Sequence, residues 1–64
     1  MANINGSEIN ASGKTVYEYL IENNYTPARV AVELNGEILS KTKFNDTIIN
    51  ENDNLEIVGF VGGG

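Results

Sequence analysis

Thr15-Val16-Tyr17-Glu18-Tyr19-Leu20-Ile21-Glu22-Asn23-Asn24 carries a complete set of helix signals, start to stop. Thr15 offers a hydroxyl to cap the helix start, and Glu18, three residues on, reaches back to the Thr15 amide. Val16, Tyr19 and Leu20 recur on one face at helical spacing, with Ile21 at the edge of that stripe and Tyr17 pointing outward. Asn23-Asn24 supplies a residue able to close the helix in the left-handed conformation. Tyr25 folds back over the last turn, and Pro27 stops any continuation.

Everything around this helix reads as strand and turn. Ala2-Asn3-Ile4-Asn5 alternates apolar and polar, Asn5-Gly6 is a hairpin turn, and Glu8-Ile9-Asn10 returns. Arg29 to Leu34 alternates again, with Val30, Val32 and Leu34 on one face and Arg29, Ala31 and Glu33 on the other. Asn35-Gly36 turns the chain into Glu37-Ile38-Leu39. Lys41 to Asp46 is irregular, with Phe44 as its anchor to the core. Thr47-Ile48-Ile49 reads as a short strand fragment, and Asn50 to Asp53 as a polar turn. Asn54 to Val61 is the final strand, with Leu55 and Ile57 on one face and Glu56, Val58 and Phe60 on the other. The class is α+β, with one helix packed on a small mixed sheet. The long connection through the helix suits a parallel crossover, and the Asn-Gly turns suit antiparallel hairpins. A last strand lying in the middle of the sheet, beside the first, gives the end of the chain a firm base.

Sixty-four residues make one domain. Residues 1–61 form its body and residues 62–64 a flexible glycine tail. A chain this size buries only about 60% of its unfolded surface, so its core is thin. It has no Cys and no His, which excludes disulfides, thiolate or imidazole metal sites, and the usual nucleophile–base pairs. The net charge of −5 argues against nucleic acid and anionic membranes and favours a basic protein surface as partner. Met1 to Asn5 lacks the basic and apolar segments of a secretory leader, and no apolar run approaches the roughly 20 residues of a membrane span. A cytoplasmic location is expected. The carboxylates fall at turns and outward positions, so none is paired for acid–base work. No cofactor is expected to bind.

The remaining candidate is the tail. Gly62-Gly63-Gly64 follows directly on an apolar strand. Glycine adds no packing and costs the most backbone entropy to order, so it is a poor way to finish a domain for stability. It is a good way to carry a carboxylate on a thin arm, and three residues reach about 10 Å. Gly64 is therefore the expected working group. Val58 and Phe60, with Ala31 beside them on the outer sheet face, make an apolar docking patch near the tail, rimmed by Glu33, Glu37 and Glu56. A carboxylate becomes an acyl donor once adenylated, and the activated carbonyl is then open to attack by sulfur or nitrogen in a site that excludes water. The chain reads as a substrate or ligand of enzymes, not an enzyme.

Gly13-Lys14-Thr15-Val16, Val30-Ala31-Val32-Glu33-Leu34-Asn35-Gly36-Glu37-Ile38 and Phe60-Val61-Gly62-Gly63-Gly64, taken together, resemble the ThiS family of thiamine-biosynthesis sulfur carriers. The resemblance implies a ubiquitin-like β-grasp fold. It implies that Gly64 is adenylated by an E1-like, ThiF-type adenylyltransferase, which uses ATP. Gly64 is then converted to a thiocarboxylate with sulfur drawn from cysteine through a desulfurase. Sulfur passes to a ThiG-type thiazole synthase. Gly63 fits the family's penultimate glycine, and Gly62 is an additional one. The alternatives are a molybdopterin synthase small-subunit type of sulfur carrier, a ubiquitin-like protein modifier, and a non-covalent binding module with an incidental tail.

Overall fold

Asn5 and Gly6 adopt φ of 51° and 88°, and Asn35 and Gly36 adopt 52° and 87°. Two successive left-handed residues match the right-handed twist of flanking strands, and Asn and Gly are the residues that reach them at least strain. The first turn joins β1 (Ala2–Ile4) to β2 (Ser7–Ile9), and the second joins β3 (Val30–Leu34) to β4 (Glu37–Leu39). The computed structural model describes residues 1–59. The end of the expected last strand at Phe60 and Val61, the glycines Gly62, Gly63 and Gly64, and the boundary between body and tail lie outside the described residues.

β5 (Asn54–Gly59) runs through the middle of the sheet, in the order β2-β1-β5-β3-β4. It is parallel to β1 through Asn3↔Asn54 and Ile4↔Leu55, and antiparallel to β3 from Leu34↔Leu55 to Val30↔Gly59. This is the expected one helix on a mixed five-stranded sheet, the ubiquitin-like arrangement.

Helix α1 (Val16–Glu22) begins with the capping box that the sequence predicts. The Glu18 amide donates to Thr15 Oγ1 at 3.0 Å, and the Thr15 amide donates to Glu18 Oε1 at 2.8 Å. The first helical amides have no partner within a helix. Here Val16 N–H donates to the Thr47 carbonyl (2.9 Å) and Tyr17 N–H to the Phe44 carbonyl (3.0 Å). At the other end Asn24 takes φ 66°, Asn23 Nδ2 donates to the Tyr19 carbonyl at 2.9 Å, and Tyr25 N–H donates to the Leu20 carbonyl at 2.9 Å. Orphan carbonyls of the last turn are thereby met.

Val16, Tyr19 and Leu20 of the helix are buried against Ala2, Ile4, Val30, Val32, Leu55 and Ile57 of the sheet, with Phe44 and Ile49 closing the core. Tyr17 and Ile21 face outward.

The return strand β2 starts at Ser7 and ends at Ile9, one residue earlier than the expected Glu8 to Asn10, and three further segments differ from the sequence reading. Pro27–Arg29 is a 3₁₀ turn that Pro27 opens, where the chain was expected only to stop its helix; a fixed φ with no N–H fits the first position of such a turn. Lys41–Lys43 is a second 3₁₀ turn, with Ser40 accepting from the Thr42 amide. Among the described residues Thr47 to Ile49 does not join the sheet: its one ladder contact there is Thr15↔Ile48. Its backbone is committed to the helix entrance, with Ile49 N–H donating to the Lys14 carbonyl and Gly13 N–H donating to the Ile49 carbonyl, both at 2.8 Å.

Candidate functional site

The described part of β5 closes with Val58 and Gly59, and the expected loading segment follows after Phe60 and Val61. Strand β3 holds one side of this part of β5 through Ala31↔Val58 and Val30↔Gly59. On the other side β1 has stopped at Ile4. There the Asn5 side chain takes over: Oδ1 accepts from Ile57 N–H at 2.8 Å and Nδ2 donates to the Ile57 carbonyl at 3.3 Å. Lys41 Nζ donates to the Val30 carbonyl at 2.6 Å. The β5 start is held likewise by the other turn, where Asn35 Oδ1 accepts from Asn54 N–H at 2.8 Å and Asn35 Nδ2 donates to Asp53 Oδ1 at 3.0 Å.

Residues paired directly across a ladder share a face. Ala31↔Val58 therefore forms one row on the face away from the helix, and Ile38↔Glu33↔Glu56 forms the next. Val58 is 60% exposed and Ile38 83%. The outer face thus brings Val58, Ala31, Glu33 and Glu56 together, as their alternation predicts. Glu37 is not with them: it pairs with Leu34 and so belongs to the helix-side face at the sheet's edge. Ile38 takes its place and was missed, although the two-residue turn at Asn35-Gly36 sets the register that reveals it. Phe60 lies outside the described residues, as does Gly64, the expected reactive group. Glu33 and Glu56 stand directly opposite each other, an arrangement that costs a folded sheet a few tenths of a kcal/mol or more. Neither carboxylate has a cationic partner among the described residues. An apolar face with an unneutralised acidic pair fits a partner surface that is apolar at its centre and basic at its edge.

The other titratable contacts are exposed and structural. Glu18 belongs to the capping box, and Glu22 pairs with Lys14 at 2.8 Å. A shallow groove of about 190 Å³ on the outward side of the helix is lined by Tyr17, Glu18, Ile21 and Glu22, so both of its carboxylates are already engaged. Glu51 accepts from the Met1 ammonium and from the Ser12 hydroxyl, the latter at 2.7 Å. The ammonium bond first, and then the hydroxyl, hold its carboxyl below the ordinary carboxylate value. A group with a lowered pKa in the folded state stabilises above its unfolded pKa, and that contribution disappears as pH falls through the folded value. Substituting Ser12→Ala is expected to move the Glu51 pKa upward toward the ordinary value, read by NMR titration of the Glu51 side chain. An unmoved titration would remove the hydroxyl from the account. Among the described residues no helix is long and apolar enough to cross a membrane.

Comparisons with known proteins agree with this fold. The family model described as "ThiS family" matches residues 2–64. The uncharacterized protein ycf40 of Pyropia yezoensis is 40% identical over 62 residues, covering 95% of this chain and 87% of that protein. A thiazole synthase of Paramagnetospirillum magneticum is 44% identical over 62 residues, covering 95% of this chain but 19% of that protein. The crystal structure of a thiamine biosynthesis protein (ThiS) from Geobacter metallireducens superposes with a TM-score of 0.75 at 34% identity, covering 98% of this chain and 97% of that one.

Proposed function

The chain belongs to the ThiS family, and from that premise we propose that it is a sulfur carrier for the making of the thiamine thiazole, with the Gly64 carboxylate as the loading point. The observation that carries the reading is that the family match extends through residue 64 and so takes in the Gly62-Gly63-Gly64 ending. The chain is a substrate in this scheme, not an enzyme, and ATP binds the activating enzyme.

The chemistry follows from what a carboxylate lacks. Its oxygen is a poor leaving group, so sulfur cannot displace it directly. An E1-like, ThiF-type adenylyltransferase joins the Gly64 carboxylate to the α-phosphorus of ATP and releases pyrophosphate. A desulfurase takes sulfur from cysteine as a persulfide; a thiol reductant cleaves that S–S bond, becoming a disulfide itself, and the sulfide-level sulfur displaces AMP and leaves a thiocarboxylate. A ThiG-type thiazole synthase accepts that sulfur. The 62-residue likeness to part of a protein named thiazole synthase supports this acceptor. Glycines suit the arm because no Cβ obstructs entry to a water-excluding site.

The test is intact mass after incubation with a ThiF-type enzyme, ATP and sulfide. Exchange of one terminal oxygen for sulfur supports the carrier. Adducts on lysines of other proteins point to a modifier instead, and an unchanged mass with a competent enzyme overturns the reading.

The outer face is the proposed dock for the activating enzyme. Val58→Asp places a third acid beside the Glu33–Glu56 pair at a site exposed enough to leave the fold intact. Losing a central apolar contact costs about 2 kcal/mol, or about thirtyfold in Kd. Calorimetric titration against the activating enzyme reads it, and an unaltered Kd would move the dock elsewhere.

A further inference from the structure

Hydrogen-bonding direction alternates along β5. Asn35 N–H donates to the Asn54 carbonyl on the β3 side, and Asn5 N–H donates to the Leu55 carbonyl on the β1 side. Residues 54, 56 and 58 therefore turn their peptide groups to β3, and residues 55 and 57 turn theirs to β1. The parallel ladder climbs in steps of two. Asn3 N–H meets the Asp53 carbonyl at 2.8 Å and Asn5 N–H meets the Leu55 carbonyl at 3.0 Å. The next rung calls for the amide of residue 7 at the Ile57 carbonyl, but by then the chain has turned away at Asn5-Gly6.

The Asn5 carboxamide makes that rung itself. A primary amide has the acceptor and donor of a peptide group. Oδ1 takes the Ile57 N–H at 2.8 Å and Nδ2 reaches the Ile57 carbonyl at 3.3 Å. A side chain that extends the ladder past the end of β1 secures β5 two residues short of Gly59. A turn residue chosen only for positive φ has no need of this reach, since glycine accepts that φ at less cost.

We infer that Asn5 is a positioning residue for sulfur loading: by gripping Ile57 it sets the base from which residues 60–64 are delivered to the activating enzyme. This rests on the carrier reading above. Asn35 is the internal control. It sits in the same kind of turn and grips the same strand, but at Asn54, the end remote from the tail.

Asn5→Gly and Asn35→Gly each keep the turn and lose the carboxamide. With the full chain, a ThiF-type enzyme, ATP and sulfide, pyrophosphate release gives kcat and KM for the carrier. Misplacing a reacting group by about 1 Å costs up to about a hundredfold, so Asn5→Gly is expected to lower kcat at least about tenfold. Its outer face is unaltered, so KM stays within about twofold, the split that marks lost placement and not lost binding. Asn35→Gly is expected to leave kcat within about twofold of wild type. Asn5→Asp keeps the acceptor for Ile57 N–H but loses the donor, and falls between. Amide exchange at Ile57 quickens in Asn5→Gly and not in Asn35→Gly. Wild-type loading with Asn5→Gly unimpaired, or with both glycine variants impaired alike, overturns the positioning role alone. A wild-type chain that fails to load overturns the carrier reading and takes this inference with it.

Discussion

Removal of Gly63 and Gly64 is expected to abolish thiocarboxylate formation while the domain stays folded. The core residues named above run from Ala2 to Ile57, and the described contacts that set β5 are the Asn5 grip on Ile57 and the β3 pairing from Leu34↔Leu55 to Val30↔Gly59. Two residues lost beyond that point shorten the arm by about 7 Å. The carboxylate of the truncated chain then stops short of the nucleotide in any site shaped for the full length. Displacement on this scale forfeits most of the effective concentration that holding two reactants together provides, about 10⁵ M or more in well-aligned cases. Loading is read by intact mass, and folding by circular dichroism and thermal midpoint. Cells lacking their own carrier and given the truncated chain are expected to need added thiamine. Growth without it, or sulfur loading of the shortened protein, would end the proposal that Gly64 is the loading point.

Phe44→Ala is expected to unfold most of the protein. Among the described residues Phe44 is the bulkiest of the fully buried side chains, at 2% exposure. It lies outside any strand, held by its neighbouring 3₁₀ turn, and its carbonyl accepts the Tyr17 amide at the start of the helix. Truncating a buried Phe costs about 3–5 kcal/mol. Domains carry about 0.05–0.15 kcal/mol per residue of net stability, which for 64 residues amounts to about 3–10 kcal/mol. The loss is therefore comparable with the whole. Urea unfolding followed by circular dichroism reads the change in midpoint. Ile38→Ala, at 83% exposure, serves as the control and is expected to change stability by less than about 0.5 kcal/mol. A Phe44→Ala protein as stable as wild type would mean that the core closes without this anchor.

The elements that could be read from sequence are those whose signals are local. Thr15 and Glu18 form a capping box within four residues, and Asn5-Gly6 and Asn35-Gly36 are turns within two. The alternation in Val30 to Leu34 and in Asn54 to Val58 places the core face correctly. Register was readable too, but small slips had consequences. A two-residue turn at Asn5-Gly6 obliges Ile4 to face Ser7, so the return strand starts at Ser7 and not at Glu8. The same rule at Asn35-Gly36 puts Ile38, and not Glu37, on the face of Glu33 and Val58. What had no local signal was the second use of the two asparagines. Their side chains bond to a strand far along the chain, and nothing in an Asn-Gly pair announces that. The 3₁₀ turns at Pro27 and Lys41 were read only as a stop and as irregular chain, because three residues are too few to establish a period. Of the site itself, Val58, Ala31, Glu33 and Glu56 converge as expected, while Phe60 and Gly62 to Gly64 lie outside the described residues.

Ile57 and Asn5 are separated by 52 residues in sequence, and β1 meets β5 across a comparable span. Contacts this remote are slow to form, because the intervening chain must give up its freedom before they reward it. The hold on β5 near Ile57 thus depends on closure of nearly the whole chain. A half-made or unravelled copy holds the same glycines but lacks the platform beneath them. Under the proposed carrier role, loading would then depend on a finished fold as well as on the glycines.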